Sequence, residues 1–157
     1  MQKTDVRSRM NLKEAFSPQA VKLHLTSTAK DAAIDELLDV LDAAGLLPDR
    51  DSARQSVLER EAKMSTGMQH GIAIPHAKCA AVNRVVAAVG IQQEGIDFDA
   101  FDGQPSSIFI LTLSPVHRTG PHVQFLAEIS RVLNEEPVRQ RLLAANTADE
   151  VVAILTE

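Results

Sequence analysis

The sequence predicts a single α/β domain in which four to five strands alternate with about five helices, with helices on both faces of the sheet. Short apolar runs alternate along the chain with longer segments whose apolar residues recur at helical spacing. One run, residues 85–91, is apolar almost throughout, which is typical of a central strand covered on both faces. With 157 residues, 45% of them apolar, the chain is long enough to bury a substantial core.

The N-terminal segment differs in composition from the rest of the chain. Residues 1–11 are mostly polar or charged, and we expect a flexible arm there, which assigns residues 12–157 to the domain. From residue 21 to residue 25, apolar and polar residues alternate with the period of a half-buried strand. The first strand is therefore predicted at this position.

Two helices are predicted next. Thr28 and Asp31 are spaced as a helix cap, an apolar face follows at helical spacing, and Gly45 is a typical helix terminator. Pro48 marks the beginning of a second helix, which extends to about Glu61.

Three further strands are predicted in the middle of the chain. The apolar runs at 72–74, 85–91 and 108–113 are each short enough for a strand and are bounded by turn-forming residues. Residues 94–104 are rich in Asp and Gly, and we interpret them as a loop or hairpin with solvated carboxylates.

Three helices complete the predicted domain. Pro121 suits the first position of one helix, which places His122 in the first turn. Pro137 opens the next helix, and Thr147 with Glu150 has the spacing of a cap for the last one.

Composition argues against several classes of function. Only 3% of the residues are aromatic and the formal net charge is −5, which disfavours both base stacking and phosphate-backbone binding, so no nucleic-acid partner is expected. The one cysteine excludes an internal disulfide and fits a reducing compartment. No apolar run resembles a signal peptide or is long enough to cross a bilayer, so we expect a cytoplasmic protein without membrane insertion.

The most unusual stretch of the chain covers residues 60–79. Gly67 and Gly71 allow tight turns, and a short apolar run follows them. Pro75 then fixes one backbone torsion and removes one N–H donor, so the run is expected to hold His76 stiffly at the end of a core strand. A histidine held in this way is either a structural residue or a reactive group.

A second histidine adds to this chemistry. A helix N-terminus attracts anions and disfavours imidazolium, so His122 and a nearby histidine are expected to be neutral and nucleophilic. A neutral imidazole can accept a phosphoryl group as a phosphoramidate. That transfer needs positioning and charge neutralisation, for which His122, Arg60 and the hydroxyls of Ser65 and Thr66 are available donors.

A zinc site is an alternative interpretation of the same histidines. The spacings match no strong zinc signature, although zinc prefers ligands of these types. The candidate ligands would be His70, His76 and Cys79, together with His117 or His122.

The order of residues over 60–76 resembles that of the type-2 enzyme IIA domains of the bacterial phosphoenolpyruvate-dependent phosphotransferase system. This family includes fructose-, mannitol- and nitrogen-type members. The matching positions are Arg60-Glu61, Ser65-Thr66-Gly67 and Gly71-Ile72-Ala73-Ile74-Pro75-His76. The likeness covers nearly the whole chain, since Asp102-Gly103-Gln104-Pro105 is similar to a family turn and His122 falls where the family carries a second histidine.

The resemblance implies a mixed sheet sandwiched by helices and a histidine phosphotransferase component that uses no cofactor and no metal. It implies that His76 is the phosphorylated nucleophile and that His122 supports the phosphoryl group. Arg60 would orient the group or neutralise its charge, and Ser65 and Thr66 are the predicted phosphoryl-binding hydroxyls.

The resemblance also implies the partners. The donor would be the phosphocarrier protein HPr or its nitrogen-type relative, and the acceptor an enzyme IIB cysteine or, in the nitrogen branch, a regulatory target protein. We expect no attached enzyme IIB, HPr-like or membrane segment and therefore a nitrogen-type regulatory domain, with a fructose- or mannitol-type enzyme IIA as the alternative. A binding module that has lost phosphotransfer also remains open.

One departure from the family pattern lies next to the site. Gln69 and His70 stand where many relatives carry Gly-Asn. We therefore expect an altered turn in the loop that precedes the predicted strand at 72–74.

Overall fold

The centre of the structure, a computed structural model that describes residues 12–157, is a five-stranded mixed β-sheet. The predicted arm at 1–11 lies outside the described residues and stays a prediction. The strands are β1 (Val21–Lys22), β2 (Ile72–Ala73), β3 (His76–Lys78), β4 (Val86–Ile96) and β5 (Ser106–Ser114).

The sheet combines parallel and antiparallel pairs. Its order is β1-β4-β5-β2, and β3 also pairs with β5. Strands β4 and β5 are antiparallel, whereas β1 is parallel to β4 and both β2 and β3 are parallel to β5. The predicted mixed sheet of four to five strands is therefore confirmed.

The helices of residues 12–157 number six, compared with about five predicted. The additional helix, α1, is one turn long, too short for apolar periodicity to reveal it. The helices are α1 (Leu12–Ala15), α2 (Lys30–Ala43), α3 (Arg50–Lys63), α4 (Thr119–Leu133), α5 (Glu136–Ala144) and α6 (Ala148–Leu155), and a 3₁₀ turn covers Pro18–Ala20. No helix within this part of the chain is long and apolar enough to cross a membrane.

Two apolar layers enclose the sheet. Along β5, Phe109 and Leu111 pack in the layer formed with α2 and α3, while Ile108 and Ile110 pack in the layer formed with α4, α5 and α6. All four side chains are at most 1% exposed. Because successive side chains of a strand point to opposite faces, a strand with both faces covered is apolar throughout.

Strand β4 is longer than predicted. It reaches Ile96, whereas the expected loop began at residue 94, and its pairing with β5 shifts register between Ile91 and Ile96. Gly95 lies in this irregular segment with φ +87°, and a Cβ there would be 2.7 Å from Cβ of Pro105. The glycine that suggested a loop instead allows the strand to continue past a bulge.

The predicted cap of the first long helix is wrong. The N-cap of α2 is Ala29, which makes no side-chain capping bond, rather than Thr28. The segment before the helix is held instead by Glu36, whose carboxylate accepts hydrogen bonds of 2.7–3.2 Å from the backbone N–H and the hydroxyl of both Thr26 and Ser27. This carboxylate ties the helix to the residues before it, but it does not cap the first turn, because Thr26 and Ser27 precede the N-cap.

Glu36 gives the fold a dependence on pH. Burial alone would raise its pKa, but the ammonium of Lys22 at 2.7 Å and the hydrogen bonds from Thr26 and Ser27 lower the pKa from 4.5 to about 2. A carboxylate whose pKa is lower in the folded state stabilises the fold above its unfolded pKa, and that stabilisation is lost as pH falls towards the folded value. The shift corresponds to about 3 kcal/mol.

Replacing Glu36 by alanine should lower the free energy of unfolding by about 3 kcal/mol at neutral pH, because the N–H groups and hydroxyls of Thr26 and Ser27 and the ammonium of Lys22 lose their acceptor. The variant should also lose much of the parent's stability change between pH ~5 and ~3. Urea denaturation at several pH values measures both effects. Asp42→Ala on the exposed face of α2 is the control, with an expected change below about 0.5 kcal/mol. If Glu36→Ala lowers the free energy of unfolding as little as the control does, the stabilising role of the Glu36 carboxylate is contradicted.

Candidate functional site

His76 is the first residue of β3, and not, as predicted, the end of the preceding strand. β2 stops after Ala73, and Pro75 interrupts the ladder because it has no N–H to donate. Its carbonyl still accepts the N–H of Thr112 at 2.9 Å, so pairing with β5 resumes at once. The proline therefore joins two short strands on one edge of β5.

A backbone carbonyl sets the protonation pattern of His76. Its Nδ1 lies 2.7 Å from the carbonyl oxygen of Ile74, which can only accept a hydrogen bond, so Nδ1 carries the proton. Nε2 is then the nitrogen with the free lone pair. Burial lowers the pKa of His76 below 6.5, an effect that the Ile74 hydrogen bond opposes and the charge of Arg60 reinforces. His76 is therefore neutral and nucleophilic near neutral pH.

His122 lies beside this ring. It is 8% exposed, and the ring centroids of His76 and His122 are 5.5 Å apart at an interplanar angle of 54°. Helix α4 begins at Thr119, so Pro121 is the third helical residue, not the first as predicted. Proline is tolerated there because N–H groups of the first turn have no partner within the helix.

The two histidines share an open pocket of about 280 Å³. Its basic side chains favour an anionic ligand such as a phosphoryl group. The lining residues are Ser56, Glu59, Arg60, Lys63, His76, Ala77, Lys78 and His122. Arg60 donates one N–H to the carbonyl of Met64 at 2.8 Å, and Nζ of Lys78 lies 3.1 Å from Oγ1 of Thr119.

The environment of His122 keeps its ring neutral. Burial, the adjacent His76 ring and the pocket cations Lys78 and Arg60 lower the pKa of His122 to about 4. Because the neutral form predominates above the pKa, His122 offers one N–H and one lone pair at neutral pH.

An NMR titration should therefore find His122 unprotonated at neutral pH, with a midpoint near pH 4. A His122 midpoint at or above 6.5 would contradict the desolvated site.

Ser65 and Thr66 are not brought to the pocket. Oγ of Ser65 donates to the carbonyl of Phe98 at 2.6 Å. Thr66 donates its hydroxyl and its backbone N–H to the carboxylate of Glu61, at 2.7 and 2.8 Å. These contacts favour a role in shaping the loop, and phosphoryl binding by the two hydroxyls stays a prediction that their present partners do not support.

Glu61 anchors the loop that leads to the site. It is 7% exposed, accepts both hydrogen bonds from Thr66 and pairs with Nζ of Lys30 at 2.9 Å. In turn, the carbonyl of Thr66 accepts the N–H of Ile74 at 3.2 Å. Helix α2, the loop and the residue before Pro75 are thus connected through one buried carboxylate.

The turn at Gln69 and His70 keeps the site clear. His70 has φ +67° and Gly71 has φ +75°, and the N–H of His70 donates to Asp102 at 3.3 Å. Histidine is among the residues enriched in this left-handed conformation. Both side chains are exposed and neither lines the 280 Å³ pocket, so the added bulk points away from His76 and His122.

The zinc interpretation finds no cluster to support it. Over residues 12–157, no group of three or more His, Cys, Asp or Glu side chains is placed to hold a metal ion. Cys79 is buried at 1% exposure, and its sulfur accepts the N–H of Ala81 at 3.3 Å.

Sequence reasoning missed three groups at the site: the carbonyl of Ile74, Lys78 and Ser114. Lys78 had a detectable signal, because it is two residues after His76 and side chains on a strand share a face at that spacing. No sequence pattern pointed to Ser114, because its contact with His122 depends on how α4 packs against β5.

The sequence matches a known family along almost its full length. A profile described as "Phosphoenolpyruvate-dependent sugar phosphotransferase system, EIIA 2" covers residues 14–157. The fructose-specific EIIA component of Haloferax volcanii is 40% identical over 139 residues, which are 88% of this chain and 90% of that protein. A nitrogen regulatory protein of Bradyrhizobium diazoefficiens is 29% identical over 147 residues, 93% of this chain and 95% of that protein.

One similar protein is much longer. The fructose-specific EIIABC component of Bacillus subtilis is 35% identical over 148 residues, which are 94% of this chain but 23% of that protein. The chain therefore spans about a quarter of this relative.

Solved structures share the fold. The nitrogen regulatory protein IIA-Ntr from Neisseria meningitidis superposes with a TM-score of 0.82 at 28% identity, covering 92% of this chain and 99% of that chain. Escherichia coli enzyme IIA for mannitol, solved in complex with phosphorylated enzyme IIB, gives a TM-score of 0.76 at 21% identity over 89% of this chain and 96% of that chain. The second likeness is evidence for the fold alone.

Proposed function

The chain belongs to the EIIA 2 family of the phosphoenolpyruvate-dependent sugar phosphotransferase system, and on this premise we propose that it carries a phosphoryl group on Nε2 of His76. One observation carries the choice of atom: Nδ1 is committed to the carbonyl of Ile74 at 2.7 Å, which leaves Nε2 as the nucleophilic nitrogen. The experiment is incubation with phosphoenolpyruvate, enzyme I and HPr, followed by intact-mass measurement. A gain of one phosphoryl group is expected.

The phosphoryl transfer requires little covalent chemistry from the protein beyond attack by the His76 ring. The Nε2 lone pair attacks phosphorus as the bond to the donor's phosphohistidine nitrogen breaks, and that nitrogen recovers its electron pair. The His76 ring gains positive charge while Nδ1 keeps its proton. The carbonyl of Ile74 faces that proton and stabilises the charge.

The pocket supplies the charge neutralisation that phosphoryl transfer requires. Arg60 and Lys78 bring two positive charges, and His122 brings a ring that can donate one hydrogen bond. We assign Arg60 to neutralising and orienting the phosphoryl oxygens and His122 to supporting them, with Lys78 as an additional cation.

Replacing Arg60 by alanine should slow phosphorylation by HPr about 10- to 100-fold, because a hydrogen bond to a charged group contributes about 1.5–3 kcal/mol. Arg60→Lys keeps the charge without the planar donor fork and should recover part of the rate. Initial phosphorylation rates measure the effect, and thermal melts check the fold, which should be unchanged because Arg60 is partly exposed. An Arg60→Ala protein with the parent rate would remove Arg60 from the site.

For the biological branch, we propose a nitrogen-type regulatory role. Support comes from the nitrogen regulatory relative that matches along 95% of its length and from the TM-score of 0.82 with IIA-Ntr. The second candidate is a sugar-specific enzyme IIA that passes the group to an enzyme IIB cysteine, which the 40% identity with a fructose-specific EIIA component favours.

A donor and acceptor comparison separates the two branches. HPr and its nitrogen-type relative are tested side by side as donors, and the phosphorylated chain is then mixed with a fructose-type enzyme IIB. Preference for the nitrogen-type donor and retention of the group support the regulatory role. Rapid transfer to enzyme IIB supports the sugar branch. If neither donor phosphorylates the chain, a binding module is supported.

Cytoplasmic location stays a prediction.

A further inference from the structure

Ser114 is the one hydroxyl that is hydrogen-bonded to the ring of His122 among the described residues. It is the last residue of β5, it is 0% exposed, and its Oγ lies 2.7 Å from Nδ1 of His122. Ser114 pairs with Lys78 and Thr112 pairs with His76, so both β5 side chains point to the face of the sheet that carries the pocket. The contact is therefore built into the sheet beneath the two histidines.

The direction of this hydrogen bond follows from the buried hydroxyl proton. If Nδ1 of His122 donated to Oγ, the serine's own proton would be buried with no acceptor among the described residues. A buried donor without a partner costs about 1–3 kcal/mol in general. If Oγ–H of Ser114 donates to Nδ1 instead, both groups are satisfied.

We propose that Ser114 is a positioning residue that holds His122 in the tautomer protonated on Nε2. His76 is held in the opposite tautomer by the carbonyl of Ile74. Two chemically identical side chains, 5.5 Å apart, thereby have different roles: His76 presents a lone pair at Nε2, and His122 presents an N–H.

This difference determines what each ring does with a phosphoryl group, a consequence that rests on the proposed function. The N–H of His122 donates to phosphoryl oxygens and cannot attack phosphorus at that atom. A lone pair at the same position would repel those oxygens and would make His122 a competing acceptor. Ser114 therefore keeps the phosphoryl group on His76 and stabilises it there.

The test reads the tautomers directly in the unphosphorylated protein. Histidine rings labelled with nitrogen-15 show, in long-range proton–nitrogen NMR spectra, which nitrogen carries the proton. The expected pattern is a protonated Nε2 and a bare Nδ1 in His122, with the reverse in His76. A His122 ring protonated on Nδ1 in the parent protein would overturn the proposal. Because this measurement uses only the parent protein, it does not depend on whether a variant folds.

Variants test whether Ser114 causes the pattern. Ser114→Ala should change the ratio of the two His122 tautomers by about tenfold or more, the effect of one hydrogen bond. Ser114→Thr keeps a hydroxyl and should restore the parent ratio. The matched control is Ser106→Ala, on the same strand and equally buried but about 26 Å away at 3.3 Å per residue. Parent-like His122 tautomers in Ser114→Ala would contradict the role.

A kinetic arm connects the tautomer to function. Ser114→Ala should slow the phosphorylation of His76 by HPr about tenfold, because the incoming phosphoryl oxygens lose the N–H of His122, and Ser114→Thr should recover the rate. If the parent chain takes no phosphoryl group from HPr, the proposed function fails while the NMR result still decides the role of Ser114. If the parent chain is phosphorylated but the tautomers do not depend on Ser114, only the positioning role fails.

Discussion

A His76→Gln variant should fold like the parent protein and take up no phosphoryl group. Glutamine has a similar size and can keep a hydrogen bond to the carbonyl of Ile74, but its amide nitrogen has no lone pair available for attack. Loss of a nucleophile typically removes three or more orders of magnitude in rate, so phosphorylation by HPr should fall on the order of 10³-fold or further. Intact-mass measurement and initial rates detect this loss.

The control for this variant is the same substitution at another histidine. His24 is exposed and does not line the pocket, so His24→Gln should be phosphorylated at the parent rate. Stoichiometric labelling of His76→Gln would mean that a different residue carries the phosphoryl group. His122 would be the first candidate, because its ring is the closest imidazole.

Replacing Glu61 by alanine should cost about 3–5 kcal/mol of unfolding free energy, the range for breaking one side of a buried ion pair. The substitution leaves Lys30 and two donors of Thr66 without their shared acceptor. Because the carbonyl of Thr66 accepts the N–H of Ile74, the residue that orients His76 should also become less well fixed. Phosphorylation should therefore slow even where the variant is fully folded.

Urea denaturation gives the stability change, and phosphorylation rates at low temperature give the functional one. Glu59→Ala is the matched stability control, because Glu59 is on the same helix but exposed, and its removal should change the unfolding free energy by less than about 0.5 kcal/mol. Glu61→Gln keeps an acceptor oxygen, so its unfolding free energy should lie between those of Glu61→Ala and Glu59→Ala. A Glu61→Ala protein as stable as Glu59→Ala would mean that the carboxylate does not anchor the loop.

Local signals predicted much of the fold. The last helix shows this best: Thr147 accepts the N–H of Glu150 at 3.1 Å, as the spacing of a helix cap predicted. Gly45 has φ +77° just after α2, as expected of a helix terminator. Such features depend on residues a few positions apart, so one segment of sequence contains all the information needed.

The errors arose where a distant residue decided the local structure. Thr28 has the spacing of a cap, but the N-cap is Ala29, and the segment before it is fixed by hydrogen bonds from Thr26 and Ser27 to Glu36. The loop expected from residue 94 is a strand to Ile96, because pairing with β5 outweighs the local preference of Gly95.

The candidate site was likewise predicted only in part from the sequence. The sequence singled out both histidines and Arg60, and all three line one pocket. It did not reveal which ring nitrogen is reactive, because that depends on Ile74 and Ser114, whose contacts with the rings require the folded geometry. Ser65 and Thr66 had suitable side chains in a suitable motif, but their hydroxyls bond within the loop.

The most direct test of phosphoryl transfer to His76 is to locate the phosphoryl group at atomic resolution. The chain, labelled with nitrogen-15 in its histidines, is phosphorylated by phosphoenolpyruvate, enzyme I and HPr, and phosphorus–nitrogen couplings are recorded by NMR at alkaline pH, where phosphohistidine persists. We predict one phosphoramidate, on Nε2 of His76. A phosphoryl group on Nδ1 of His76 or on His122 would contradict the mechanism. A protein that takes up no phosphoryl group would contradict the carrier function.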